Sequence, residues 1–200
     1  MKTIGLIGGM SFESSAVYYR QVNEAVRARL GGLASAEVLM HSVNFEEIVA
    51  LQKAGRWDLA AKRLSDVAAG LERAGATCVL ICTNTMHMVA DEVEAGLNVP
   101  LINIIDETAL ALKAGGAKRP LLLATRYTME QPFYAERMSA MASTSWCQTQ
   151  TAGPTPMTSF STNSAQAGCW ITPATGSSPS LRRQRQTAPT ASSSAALKSA

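Results

Sequence analysis

The sequence is poor in the residues that metal chemistry needs. It has two histidines, His41 and His87, and four cysteines, Cys78, Cys82, Cys147 and Cys169, with no zinc-type spacing among them. No metal site is expected from such a set. No apolar run approaches the roughly 20 residues that cross a bilayer, so no membrane partner is expected. A basic segment followed by a cleavable apolar stretch is also missing; Met1-Lys2-Thr3 leads straight into Ile4-Gly5-Leu6-Ile7. The expectation is a cytoplasmic protein with reduced thiols rather than a secreted one. The turn Gly8-Gly9-Met10-Ser11 lacks Gly-x-Gly-x-x-Gly spacing, and no acidic residue ends the second apolar run. That reads against a dinucleotide site.

Charge is unevenly spread. Hydrophobic residues make up 46% and charged residues 16%, which suits a globular chain, and the formal net charge is +3. Residues 1–140 hold all 15 acidic residues against 14 of the 18 basic ones, so that part is close to neutral. Residues 141–200 contain no Asp, Glu, Val, Tyr or His, and four basic residues make them positive. The overall positive charge is therefore no nucleic-acid footprint. Ser and Thr supply 22 of those last 60 residues. By composition this is a disordered tail, although it keeps Trp146, Trp170 and two cysteines.

What is present over residues 1–140 is an alternation of short apolar runs and helical periodicity. Strands are predicted at 3–7, 36–40, 77–81, 100–104 and 120–124. Helices are predicted at 14–30, with Val17, Tyr18, Val22, Ala25 and Val26 on one face, and at 45–54, 57–74, 85–95 and 107–114. Thr128-x-x-Gln131 reads as a capping box opening a last helix to about Met138. The fold class is α/β, a parallel sheet covered by helices on both faces. Ligands of such sheets lie beyond the carboxyl ends of the strands, where the loops 8–13, 82–87 and 125–130 should converge.

Cys82-Thr83-Asn84-Thr85-Met86-His87 ends the third apolar run. It places a cysteine where a helix should begin. Free N–H groups and the positive dipole end there should lower its pKa, and the same donors can hold a carboxylate. Cys78, inside the strand, is better read as a small buried hydrophobe. Gly8-Gly9 is either a tight turn or a backbone cradle for a carboxylate. His87 could orient a thiolate or lie on a helix surface. His41 reads as structural, and Gln52 and Arg126 as exposed polar residues on propensity alone.

Three segments carry a resemblance: Gly8-Gly9-Met10-Ser11-Phe12-Glu13-Ser14, Cys82-Thr83-Asn84-Thr85-Met86-His87 and Thr125-Arg126-Tyr127-Thr128-Met129-Glu130-Gln131. In this order, each at a strand-to-helix junction, they resemble the aspartate/glutamate racemases, above all the broad-specificity amino-acid racemase branch. The resemblance covers residues 1 to about 140. It implies a cofactor-independent racemase with two pseudo-symmetric domains. One cysteine removes the Cα proton, and a second returns a proton on the opposite face. By matching positions, Cys82 is the first acid/base residue. Met10, Gln52, Thr83, Asn84 and Thr85 bind an amino-acid substrate, with Thr128 joining from the second domain. Members of the family are commonly dimers, so the resemblance allows a homodimer.

The chain departs from the family late. The second cysteine belongs in a Gly-Cys-Thr-Glu motif, which this sequence lacks; Cys147 and Cys169 sit in Ser-Trp-Cys-Gln and Gly-Cys-Trp-Ile. Back-translated with GC-rich codons and regrouped by frame, residues 141–151 can read GIDVVVPDAD and residues 188–200 ADGVILGCTEIG. A frameshift near Ala140–Met141 is therefore expected. The domain reading is a first α/β domain over 1–115, the start of a second over 116–140 and the frameshifted tail over 141–200. The chain as written should be inactive for want of its second cysteine. The alternatives are a related cysteine-dependent isomerase or decarboxylase, or a non-catalytic truncated product.

Overall fold

A computed structural model describes residues 2–117, 120–142, 147–148 and 170–173. Four parallel strands, β1 (Ile4–Gly8), β2 (Val38–Ser42), β3 (Cys78–Ile81) and β4 (Leu101–Ile102), form one sheet in the order β2-β1-β3-β4. Ile7 on the central strand pairs with His41 on one side and Ile81 on the other. The helices are α1 (Phe12–Leu30), α2 (Phe45–Lys53), α3 (Trp57–Arg73), α4 (Ala90–Glu94) and α5 (Ile104–Ala114). Among the described residues, no helix is long and apolar enough to cross a membrane.

The chain from β1 runs to an edge strand and then returns past β1 to β3. Right-handed crossovers therefore put α1 on one face and α2–α3 on the other. Two glycines of β1 show how closely the helices sit. A Cβ on Gly5 would lie 3.0 Å from Ala76 Cβ and 3.3 Å from Leu71 Cβ, on the α3 face. A Cβ on Gly8 would lie 2.8 Å from Ser15 Oγ, on the α1 face. The main core is on the α3 side, where Ile7, Val79, Ile81 and Leu101 meet Ile48, Leu64, Val67, Ala68 and Val93.

The faces are unequal. In α1 only Ser15 is buried, and Phe12, Val17, Tyr19 and Leu30 face solvent. The expected apolar stripe of α1 is thus only partly covered, because among the described elements the helix rests chiefly on β1. Asn44 and Asn103 cap α2 and α5 by accepting from the N–H two residues on. The Asn103 cap starts α5 three residues before the predicted Glu107.

β5 (Pro120–Leu123) begins a second sheet. It pairs parallel with β6 (Cys147–Gln148) and antiparallel with β7 (Trp170–Pro173), so both its edges are occupied. The predicted capping box is not formed. α6 (Arg126–Glu130) starts after Thr125, and α7 (Pro132–Ala142) follows with Pro132 as its first residue. Proline fits the first position of a helix and pushes the preceding residue to extended backbone, so Gln131 separates the two helices with ψ 142°. Ile105, Ala109, Leu122, Tyr134 and Met138 form a small second core. Apart from β6 and β7, the expectations for 141–200 fall on residues outside the described ones, save the end of α7.

Candidate active site

The three loops predicted to converge do so at the carboxyl ends of β1, β3 and β5. Each is held by named contacts. Gly9 turns the chain out of β1 with φ +87°, and a Cβ there would lie 2.6 Å from Val43 N. Only glycine fits. Val43 N–H donates to Gly8 O at 3.0 Å, and Gly9 N–H donates to Ser15 Oγ at 2.9 Å. The Gly9 donor expected for a carboxylate cradle is thus spent inside the turn. Ser11 caps α1, and Ser14 Oγ sits 2.9 Å from Ser11 O and 3.2 Å from Cys82 O, sharing one proton between them. That hydroxyl sets the first loop against the third strand.

Cys82 follows β3 directly, with its N–H on Ile7 O at 2.9 Å. It is free of disulfide and fully buried. Burial pushes the Cys82 thiol up to about 12. The expected lowering is absent for two reasons. The following element is a five-residue 3-10 turn, Thr85–Val89, too short for a strong dipole end. Dehydration of the thiolate therefore outweighs it, and Cys82 rests as a thiol. Cys78 is half-buried, and burial raises its thiol as well.

The other predicted residues gather round this turn. Met10 is buried. Thr83, Asn84 and Thr85 are half-buried. Gln52, from α2, is half-buried and places Nε2 3.0 Å from the buried Met86 Sδ. Thr128 is buried within α6. Its hydroxyl lies 3.3 Å from Thr85 Oγ1 and 3.2 Å from Thr125 Oγ1, and Thr85 and Thr125 are themselves 3.3 Å apart. Three hydroxyls thus form a triangle that joins the β3 turn to the β5 turn. Above them, Trp57 and Tyr127 meet edge to face with ring centroids 6.2 Å apart.

Some contributors had little signature in sequence. Thr125 joins the triangle from the end of β5. Ser14 is one serine among several. Arg137 of α7 makes a two-pronged bond to Asp106 of α5, at 2.7 and 2.8 Å, and reaches Asp91 of α4 at 2.6 Å. His87 is buried, which removes the helix-surface reading. Burial lowers it to about 4, so it is a neutral imidazole at ordinary pH.

The Asp/Glu/Hydantoin racemase pattern matches residues 7–166, from β1 past the end of α7. The chain belongs to this family. Among curated relatives, the broad specificity amino-acid racemase RacX of Bacillus subtilis is 30% identical over 73 residues, covering 36% of this chain and 32% of that protein. A Yersinia pestis protein provisionally assigned as an Asp/Glu racemase has a similar structure, with TM-score 0.71 and 49% identity. An aspartate racemase homologue from Pyrococcus horikoshii gives TM-score 0.67 and 35% identity. Each of these two matches covers 74% of this chain and 64% of the other. The chain thus spans about a third of the curated relative and less than two-thirds of either solved structure.

Proposed function

We propose that this chain carries one half of a cofactor-independent amino-acid racemase site acting on aspartate or glutamate. The observation that carries the reading is the threonine triangle. Thr85, Thr125 and Thr128 turn their hydroxyls toward one another at the junction of the two sheets, beside the turn that begins with Cys82. Hydroxyls that, among the described residues, bond to each other are donors a carboxylate can recruit. Among the described residues, the Thr83 hydroxyl and the Asn84 amide have no side-chain partner, and both are half-buried. Met10, buried after β1, and Gln52, whose Nε2 meets Met86 Sδ, are assigned to the same substrate site in this reading.

The chemistry follows from the acidity of the two partners. A Cα–H is a weak acid, and donors fixed at the carboxylate stabilise the charge that develops when it leaves. A thiolate at Cys82 takes the proton and becomes the thiol. A second thiol on the opposite face delivers its proton to the carbanion, and the product is the other enantiomer. Cys82 resting as a thiol suits the proton-donating half of that cycle. To act as base it must ionise, and the substrate ammonium brings a positive charge that favours the thiolate. With Cys82 alone, the proton it removes returns to the same face.

The test is Cα proton exchange with full-length chain in D₂O. Folded protein should exchange the Cα–H of one enantiomer of aspartate or glutamate, with configuration retained. Cys82→Ser should slow this by about 10²-fold or more, the usual worth of a positioned base. Absence of exchange from both enantiomers sinks the reading. Turnover of maleate or a malonate instead assigns the site to a related isomerase or decarboxylase. Binding without any turnover marks a non-catalytic product, a reading favoured by the deep burial of Cys82. A homodimer belongs to the same proposal and is tested by sedimentation.

A further inference from the structure

His87 has both ring nitrogens committed to backbone. Nδ1 lies 2.8 Å from Thr83 O, and Nε2 lies 3.3 Å from Ile104 N. A carbonyl only accepts and a peptide N–H only donates. The partners therefore fix the tautomer, with the proton on Nδ1 and the lone pair on Nε2. The ring is 5% exposed. It has no free lone pair to receive a proton from Cys82 and no free proton to give.

What the ring joins is more informative. Thr83 follows Cys82 directly, and its carbonyl hangs from Nδ1–H. Ile104 is the first residue of α5, and its N–H is held by Nε2. The next donor of that helix, Ile105 N–H, goes to Asn103 Oδ1 at 2.9 Å. Asn103 Nδ2 is left buried without a partner among the described residues. The first two N–H groups of α5 are therefore taken by protein: Ile104 N–H holds the imidazole, and Ile105 N–H closes the Asn103 cap. Charged groups on two neighbouring helices also face the ring. Arg137 from α7 lowers its proton affinity and Asp106 from α5 raises it, while burial acts most strongly.

We propose that His87 is a positioning residue: a neutral imidazole, protonated on Nδ1, that suspends the Thr83 peptide from the first turn of α5 and so sets the direction of the Cys82–Thr85 turn. Its consequence for catalysis rests on the racemase reading, whereas the link itself does not. Cys82 can meet a reagent only when this turn opens, so its protection measures the link.

The experiment uses the full chain with His87→Asn, His87→Gln and His87→Phe. Alkylation of Cys82 by iodoacetamide is followed by mass spectrometry, with Cys78 as internal reference. An asparagine amide can still donate to Thr83 O, so His87→Asn should stay within about twofold of wild type. His87→Phe has no donor, and His87→Gln carries its amide one bond further out, at the reach of Nε2 rather than Nδ1; both should react about tenfold faster at Cys82, the worth of one buried hydrogen bond. If the ring merely fills space, His87→Phe stays slow and His87→Asn becomes fast, and the proposal is overturned. Side-chain ¹⁵N NMR gives an independent reading that needs no variant to fold. A proton on Nδ1 and none on Nε2 at neutral pH is expected, and an Nε2–H or an imidazolium overturns it. Cα exchange separates the two proposals. A wild type without exchange ends the racemase reading but leaves alkylation and NMR to judge the link. A wild type that exchanges no faster than His87→Phe ends the positioning role.

Discussion

The two parts of this molecule are held together by different forces. The β2-β1-β3-β4 sheet closes over a continuous apolar core that runs from Ile7 to Leu101 and takes side chains from α2, α3 and α4. Residues 104–142 bury a much smaller set, centred on Tyr134 and Met138. They are fastened to the first part chiefly by polar groups, Arg137 on Asp91 and Thr85 on Thr125 and Thr128, with an aromatic contact between Trp57 and Tyr127. Apolar burial is non-directional and grows with area, while a hydrogen bond depends on distance and angle. The first part should therefore hold its shape alone, and the second should hold its position only while its fasteners are intact. The candidate site lies on that boundary.

Truncating each core in turn tests this difference most severely. Leu64 is fully buried on α3. Leu64→Ala should cost about 2–5 kcal/mol of the cooperative unfolding transition. Met138, equally buried on α7, should behave otherwise. Met138→Ala should strip amide-exchange protection from residues 104–142 and leave the main transition nearly in place. Equal shifts of one shared transition would show a single cooperative unit.

Acid probes the boundary without mutation. The folded pKa of His87 is lowered from 6.5 to about 4. The native state thus binds fewer protons than the unfolded chain between these values. Its contribution is intact above pH 6.5, is lost as pH falls toward 4, and changes no further below that. The loss is on the order of 3 kcal/mol. Cys82 works in the opposite direction. Its folded pKa is raised from 9.0 to about 12, so its contribution is intact below pH 9 and is lost as pH rises toward 12. Denaturant midpoints across pH should fall at both ends, and His87→Gln should flatten only the acid limb.

Arg137 is a smaller effect, strongest within the weaker part. Its side chain is 30% exposed, and Asp106 is 24% exposed, against 81% for Asp91. The two-pronged bond to Asp106 should therefore matter more than the reach to Asp91, which water screens. Arg137→Ala should weaken the local stability of α7 by about 1–3 kcal/mol, and Arg137→Lys should recover little, because an ammonium cannot copy the planar fork. Amide exchange on α5 and α7 is the check.

The same contrast explains what could be read from sequence. The first part was legible because each apolar run has one period and each junction one punctuation mark. Gly9 makes the tight turn out of β1, and of the α3 stripe read from spacing (Leu59, Leu64, Val67, Ala68 and Leu71) all but the exposed Leu59 are buried. The Cys82 and Thr125–Thr128 loops converge as expected, although β5 lies in a second sheet rather than beside β4. Three features did not follow. The state of Cys82 depends on how completely neighbours exclude water, and spacing carries no such information. The placement of Thr128 depends on Pro132 starting a new helix, which a capping-box pattern conceals. The fit of His87 between Thr83 and Ile104 depends on two backbone groups 21 residues apart in the chain meeting one ring, with no trace in local pattern.

The threonine triangle should give the smallest stability change and the sharpest separation of stability from function. Thr128→Val keeps volume and removes one hydroxyl from the set. Thr85 and Thr125 can still bond to each other at 3.3 Å, so no buried donor is orphaned. The cost in stability should be within about 1 kcal/mol. A carboxylate held by the triangle loses one donor, and that loss is felt only when ligand is bound. Aspartate affinity, followed by calorimetry, should then drop about five- to tenfold with the unfolding midpoint almost unchanged. Thr125→Val should show a smaller drop, because Thr125 is exposed to water whereas Thr128 is buried. A large stability loss with unchanged affinity would instead make the triangle a structural fastener like Arg137, and the carboxylate site would have to be sought at Thr83 and Asn84.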